Sequence, residues 1–143
     1  LIKVAGEAAL GKRSHVSVFG TDFDTPDGTG VRDYIHVSDL AAAHVLALEA
    51  LIAEPTQSLT MNCGYGRGFS VLDVLDAVDR VTNLQIERRI EGRRAGDPDA
   101  LISDNSRIKA TLPWQPRYAD LPTIVEHALA WERKLSEIRA EPA

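Results

Sequence analysis

The sequence predicts an α/β chain, and three observations carry that prediction. Stretches that read as strands recur at 15–19, 34–37, 59–63 and 84–90. Segments with apolar residues at helical spacing lie among and after them, at 39–53, 71–81 and 121–139. Glycine and proline clusters punctuate the two kinds. A chain of 143 residues suffices for one domain, which at that size buries roughly 70% of its unfolded surface.

The first segment, LIKVAGEAALGK, carries Leu1, Val4, Ala8 and Leu10 at helical spacing, with Gly11 as its stop. Residues 15–19 follow as a short strand that delivers Phe19 to a loop. In that loop Asp24, Thr25, Pro26, Asp27, Gly28, Thr29 and Gly30 are all turn formers. Arg32 stands where the loop gives way to extended chain, a good place to meet an anion. On charge composition alone, a surface pairing with Asp27 or Asp33 is the more ordinary reading. Residues 34–37 favour a strand, and Ser38 or Asp39 can cap a helix opening at Leu40. That helix should turn Leu40, Ala43, Ala47, Leu48 and Leu51 to one side, with Val45 and Leu46 beside it, and Pro55 stops it. An apolar surface so wide calls for more than one neighbour.

Residues 59–63 read as a strand leading into Gly64, Gly66 and Gly68, and Ser70 with Asp73 forms a capping box for a helix over 71–81. Val71, Val74, Leu75 and Val78 make its apolar face. A strand at 84–90 follows, with Glu87 about where a ribose-binding acid would stand. The outline imitates a dinucleotide-binding unit, but the glycine fingerprint is wrong, since Phe69 and Ser70 occupy the places of its later positions. Arg88, Arg89, Arg93 and Arg94 cluster next. The first three read as surface residues, whereas the turn GDPDA aims Arg94 across a cleft, and a guanidinium holds phosphate oxygens two at a time. Asp104 should cap a short helix ended by Pro113, Trp114 and Pro116. A last helix over 121–139 presents Leu121, Ile124, Val125, Ala128, Leu129 and Leu135 to a core, and the polar tail EIRAEPA should fray.

Composition narrows the function classes. With 21 acidic against 16 basic residues the net charge is −5, which argues against a general nucleic-acid or anionic-membrane surface and makes any anion site local. The single cysteine, Cys63, can form no internal disulfide and has no metal-ligand spacing around it. His36 and His44 do not share one helical metal face, so both read as structural and no metal is expected. No transmembrane run and no signal-peptide pattern is seen, and the cytoplasm is the expected compartment. Leu1 in place of an initiator methionine reads as the start of an excised or processed piece.

The run FGTDFDTPDGTGVRDYIHVSDLAAAHVLAL, followed in order by MNCGYGRGFSVLDV, RRAGDPDALISDNS and LPWQP, resembles the UDP-glucose 4-epimerases of the extended short-chain dehydrogenase family over essentially the whole chain. The resemblance is to the family's C-terminal, substrate-binding part. It implies that helix and strand elements here complete a Rossmann sheet lying in a missing N-terminal domain. That domain carries the NAD motif, the catalytic serine and the Tyr-x-x-x-Lys pair, so no catalytic and no cofactor-binding residue is expected in this chain. The residues it implies as substrate-binding are Val16, Ser17, Val18 and Phe19 as a wall against uracil, Arg32 and Arg94 on the pyrophosphate, Asp97 on the ribose hydroxyls, Val71 beside them, and Leu101 next to the sugar. Leu101 departs from the tyrosine often found there and leaves the choice of sugar open. The implied reaction interconverts UDP-glucose and UDP-galactose with bound NAD, in galactose metabolism. The isolated chain is expected to be inactive and free of cofactor, and the longer enzyme to form a homodimer, with no nucleic-acid or membrane partner. Two alternatives stand beside this one. The chain could be the same part of another nucleotide-sugar enzyme, such as a UDP-N-acetylglucosamine 4-epimerase or a glucuronate decarboxylase, or it could be a non-catalytic module whose basic cluster binds an acidic partner.

Overall fold

A computed structural model describes residues 1–140. The elements run α1 (Ile2–Ala9), β1 (Val16–Phe19), β2 (Val31–Arg32), α2 (Val37–Ala53), β3 (Phe69–Ser70), α3 (Val71–Thr82), β4 (Arg88–Glu91), β5 (Ala100–Leu101), α4 (Ser106–Thr111) and α5 (Leu121–Ala140), an α/β order as expected. The strands make two small sheets. β1 pairs with β4 in parallel, Val16 opposite Arg88 and Phe19 opposite Glu91. β2 lies between β3, antiparallel, and β5, parallel, so that Arg32 stands opposite both Phe69 and Leu101.

α3 forms where the local signals are strongest. The Ser70 hydroxyl accepts from Asp73 N and the Asp73 carboxylate accepts from Ser70 N, both at 2.9 Å, closing the capping box; Asn83, in the left-handed region at φ 54°, ends the helix. Its face Val74, Leu75, Ala77 and Val78 is buried against Ala5 of α1, Val16 and Val18 of β1, Ile86, and Leu121, Val125 and Leu129 of α5. The first and last helices therefore share one core. Glu132 enters it as a buried carboxylate on α5, compensated by Lys12, whose ammonium donates to Glu132 Oε2 at 3.1 Å and Glu132 O at 3.2 Å.

A second cluster joins Ala43 of α2 to Ile108, Leu112 and Trp114. Asp39, buried in the first turn of α2, is its polar hub. Its carboxylate accepts from Tyr65 OH (2.6 Å), Arg117 N (3.0 Å) and Tyr118 N (2.9 Å), and its carbonyl accepts from Trp114 Nε1 (2.9 Å). Burial alone would raise the Asp39 carboxyl, but these bonds outweigh it and hold it below the usual range. Burial and the Asp39 charge together push the Tyr65 phenol up.

Several expectations are corrected. Residues 34–37 form no strand; His36 is the N-cap of α2, its Nδ1 accepting from Ser38 N at 3.0 Å, so the helix opens at Val37 and neither Ser38 nor Asp39 caps it. Residues 59–63 are irregular because no neighbouring strand offers them a ladder, and β4 spans only Arg88–Glu91 with Leu84 exposed. On α2 the buried side is Ala43, backed by Leu46, Ala47 and Ala50, whereas Leu48 and Leu51 are exposed along with Val45 and Ile52. Arg88 is half-buried and not a surface residue, held by Asp79 and by Asp76 at 2.8 Å. Asp104 accepts from Ser106 N at 3.0 Å, but the N-cap of α4 is Asn105, whose amide donates instead to Gly64 O at 2.8 Å. Within the tail, residues 137–140 continue α5, and 141–143 lie outside the described residues.

Candidate functional site

The loop between β1 and β2 is fastened before it presents anything. Asp27 Oδ1 accepts from Thr29 N and Thr29 Oγ1, each at 2.8 Å, and Asp27 Oδ2 accepts from the Ser70 hydroxyl at the head of α3. Burial would raise the Asp27 carboxyl, but the bonds from Ser70 and Thr29 win and keep it low. The turn needs glycine at position 28, where φ is +77° and a Cβ would lie 2.2 Å from Thr21 O. With Asp27 engaged in this way, its pairing with Arg32 is closed. The Asp33 carboxylate is turned to backbone amides of Tyr65 and Gly66. Arg32 instead places Nη2 at 3.9 Å from Asp97 Oδ1 and donates from Nη1 to Val31 O at 2.7 Å.

An open cavity of about 770 Å³ is lined by Val16, Ser17, Phe19, Arg32, Val71, Arg94 and Asp97. The guanidinium carbon of Arg94 sits over the Phe19 ring, 3.5 Å from its centroid, so an aromatic wall and a cation form one surface. Arg32, Arg94 and the Asp97 carboxylate thus meet around an apolar patch from β1 and α3. That combination can hold an anion, stack a flat ring and accept from a hydroxyl.

Two of the expected residues lie elsewhere. Val18 packs into the core and does not line the cavity, whereas Val16, just as buried, does. Leu101 is exposed in a second hollow of about 520 Å³, beside Asp33, Met61, Asn62, Cys63 and Ser103. Arg32 lines both hollows. The cavity also contains residues that spacing did not indicate: Val4, Arg13, Phe23 and Tyr34. Phe23 could have been suspected from its place among turn formers. It is buried under Arg93, whose guanidinium sits 4.0 Å from the ring centroid while Nη2 reaches Asp99 at 2.8 Å. Tyr34 had no local signal; burial pushes its phenol up against the opposing effect of Arg32.

The glycine turn at 64–68 offers no cradle for a dinucleotide. A Cβ at Gly64 would meet Asp33 Oδ2 and Ser103 Cβ at 2.6 Å, and one at Gly68 would meet Val31 Cγ1 at 2.3 Å, so the protein's own side chains fill that space. The described residues therefore do not fit NAD at this turn. They include no group of three or more His, Cys, Asp and Glu able to hold a metal, and no helix long and apolar enough to cross a membrane. Cys63 is half-buried and unpaired, with its thiol pushed up by burial and by Asp33 and Asp39.

Residues 1–64 match the NAD dependent epimerase/dehydratase family. The UDP-glucose 4-epimerase of Azospirillum brasilense is 52% identical over 137 residues, covering 96% of this chain and 39% of the relative. Among solved structures, the UDP-Glc/GlcNAc 4-epimerase of Campylobacter jejuni superposes with a TM-score of 0.84 at 47% identity, over 93% of this chain and 40% of its own. The UDP-glucose 4-epimerase of Stenotrophomonas maltophila, solved with bound NAD and formylated UDP-arabinopyranose, gives a TM-score of 0.90 at 40% identity over 96% and 40%. The chain thus spans about 40% of the length of the relatives it matches. Nearly all of it is shared with them in sequence and in fold, so over 96% of its length this chain is similar to a part of the UDP-glucose 4-epimerases.

Proposed function

We propose that the chain is the C-terminal, UDP-hexose-binding part of an NAD-dependent UDP-glucose 4-epimerase, interconverting UDP-glucose and UDP-galactose in the cytoplasm. The observation that carries this reading is the convergence of Arg32, Arg94, Asp97 and Phe19 on one cavity. Uracil would lie against the wall of β1, formed by Val16, Ser17 and Phe19, with Val71 opposite. Asp97 would accept from the ribose, and Arg32 and Arg94 would grip the pyrophosphate. Because Arg32 also lines the second hollow, the hexose would pass it and come to rest by Leu101. The NAD-binding Rossmann domain, with the catalytic serine, tyrosine and lysine, would belong to the rest of the enzyme, where NAD supplies hydride chemistry at the fourth carbon of the hexose. This chain would contribute positioning, holding the UDP handle while the sugar turns over. The longer enzyme would form a homodimer.

The test is calorimetric titration of UDP into the complete enzyme and its Arg32→Ala and Arg94→Ala variants. Loss of a hydrogen bond to a charged group is worth roughly 1.5–3 kcal/mol, so each change should weaken UDP by about one to two decades. The melting temperature should hardly move. A fall in stability with unchanged UDP affinity would make that arginine a structural ion-pair member. The purified 143-residue chain should neither turn over UDP-galactose nor bind NAD. Measurable activity from it would sink the assignment of catalysis to another part.

The exposed Leu101 supports a second feature, weak use of the N-acetylated pair. Leucine offers an acetamide room but no partner for its polar atoms. Leu101→Tyr should abolish that side activity, Leu101→Ser should raise it, and an unchanged ratio in both would mean that Leu101 does not face the sugar.

A further inference from the structure

Arg32 serves the proposed site only if its backbone is held still, and nothing in its own contacts does so. Its ion pair with Asp97 is long, at 3.9 Å, and its one hydrogen bond is to the adjacent Val31 carbonyl. The strand that carries it is two residues long. What stops β2 from shifting is the next residue. Asp33 N donates to Leu101 O at 3.2 Å, extending the ladder to β5. Its carboxylate reaches the chain beyond the strands. There Oδ1 accepts from Tyr65 N at 3.0 Å, while Oδ2 accepts from Gly66 N at 2.9 Å and from Ser103 N at 3.3 Å. One carboxylate thus collects three backbone amides from two segments far apart in sequence, the glycine turn before β3 and the residues after β5. The fit is close, because a Cβ at Gly64 would strike Asp33 Oδ2.

We propose that Asp33 is a positioning residue for the diphosphate site: by clamping the Gly64–Gly66 turn and the chain after β5 onto the end of β2, it fixes where the Arg32 guanidinium points. The inference rests on the reading of Arg32 as a ligand of the diphosphate. It assigns to Asp33 no contact with the substrate and no proton transfer. A charged acceptor suits the role because amide–carboxylate bonds are shorter and stronger than neutral ones, and one group satisfies donors from both segments at once. An asparagine of the same shape would keep a single acceptor and set its NH₂ against an amide.

The experiment is a double-mutant cycle on UDP affinity in the complete enzyme, with wild type, Arg32→Ala, Asp33→Asn and the double variant, and with Asp33→Glu in parallel. Asp33→Asn should weaken UDP roughly tenfold, the weight of about one charge-assisted hydrogen bond. The double variant should bind as Arg32→Ala alone does, within about twofold, because Asp33 acts only through Arg32. Hydrogen exchange should quicken at Tyr65, Gly66 and Ser103 in the folded Asp33→Asn protein. If Arg32→Ala weakens UDP but Asp33→Asn does not, or if the two losses multiply, the positioning role is overturned while the site stands. If Arg32→Ala itself leaves UDP affinity unchanged, the diphosphate reading fails and this inference falls with it. Loss of the cooperative melting transition in both Asp33→Asn and Asp33→Glu would also overturn it, making Asp33 a residue that the whole fold requires.

Discussion

The two sides of this molecule close their apolar surfaces to different degrees. Around α3 every large side chain of the helix face meets a neighbour, and Val74, Leu75 and Val78 are fully buried between α1, β1 and α5. Around α2 only one side is closed. Ala43 packs on Ile108, Leu112 and Trp114, while Val45, Leu48 and Ile52 are each more than half exposed on the other side. Both helices are strongly helical in sequence, so propensity does not separate them. What separates them is the supply of neighbours. A contiguous apolar helix face left open is unusual for a protein surface unless something covers it; in the function proposed above, the Rossmann domain would be that cover.

That contrast can be broken most sharply in the closed core. Leu75→Ala should cost about 2–5 kcal/mol, a cavity effect, read from urea denaturation. A cost below about 1 kcal/mol would mean that the α3 core is loose. Next comes the polar hub of the open side. Asp39→Ala strands Tyr65 OH and the amides of Arg117 and Tyr118, and should cost about 1.5–3 kcal/mol while lowering the Tyr65 phenol, whose elevation is owed in part to that carboxylate.

A pH effect of moderate size should follow from the histidine pair. His36 accepts from Ser38 N through Nδ1, which leaves its proton on Nε2, 2.9 Å from His127 Nδ1. Burial and His127 push His36 below its ordinary value, with Asp39 opposing. The unfolded chain therefore takes up the proton first, near pH 6.5. The stability contributed by neutral His36 is present above that pH and is lost as the pH falls below it. Denaturation midpoints should drop across that window, and His36→Asn, which keeps a capping acceptor, should flatten the drop. The smallest effect belongs to the open face. Leu48→Ser in the isolated chain should change stability by no more than about 0.5 kcal/mol. In the complete enzyme the same change should cost more, and equal costs in both would show that α2 has no partner there.

The same contrast explains what could be read from the sequence. The α3 capping box, the stop at Asn83 and the apolar stripe of α5 depend on residues a few positions apart, so their signals are local. Residues 59–63 carry weaker strand formers than β1, with Asn62 among them, and only β1 of the two has a partner, Arg88–Glu91. Pairing is not written in the strand itself. Residues 34–37 failed for a different reason, since a histidine side chain capped the helix one turn early. In the site, Arg94 stood out through the turn that follows it, whereas Asp97 was indicated only by the family resemblance. That Leu101 would open into the second hollow depended on the register of β5 against β2, a non-local fact. Tyr34 and Phe23 entered the cavity wall through packing that no short motif marks.

The bond from Lys12 to Glu132 spans 120 positions, and it marks a core that takes its pieces from both ends of the described chain. Such a core is expensive to begin. A large loop must be closed before α1, β1, α3 and α5 can reward one another, and chains dominated by distant contacts fold slowly. During synthesis, α1 and β1 must wait for the last helix to be made, with Val16, Val18 and Leu75 still in water. Removing the segment from Leu121 onward should therefore leave a collapsed, aggregation-prone chain, not a shorter folded one, because no earlier element can stand in for Val125 and Leu129.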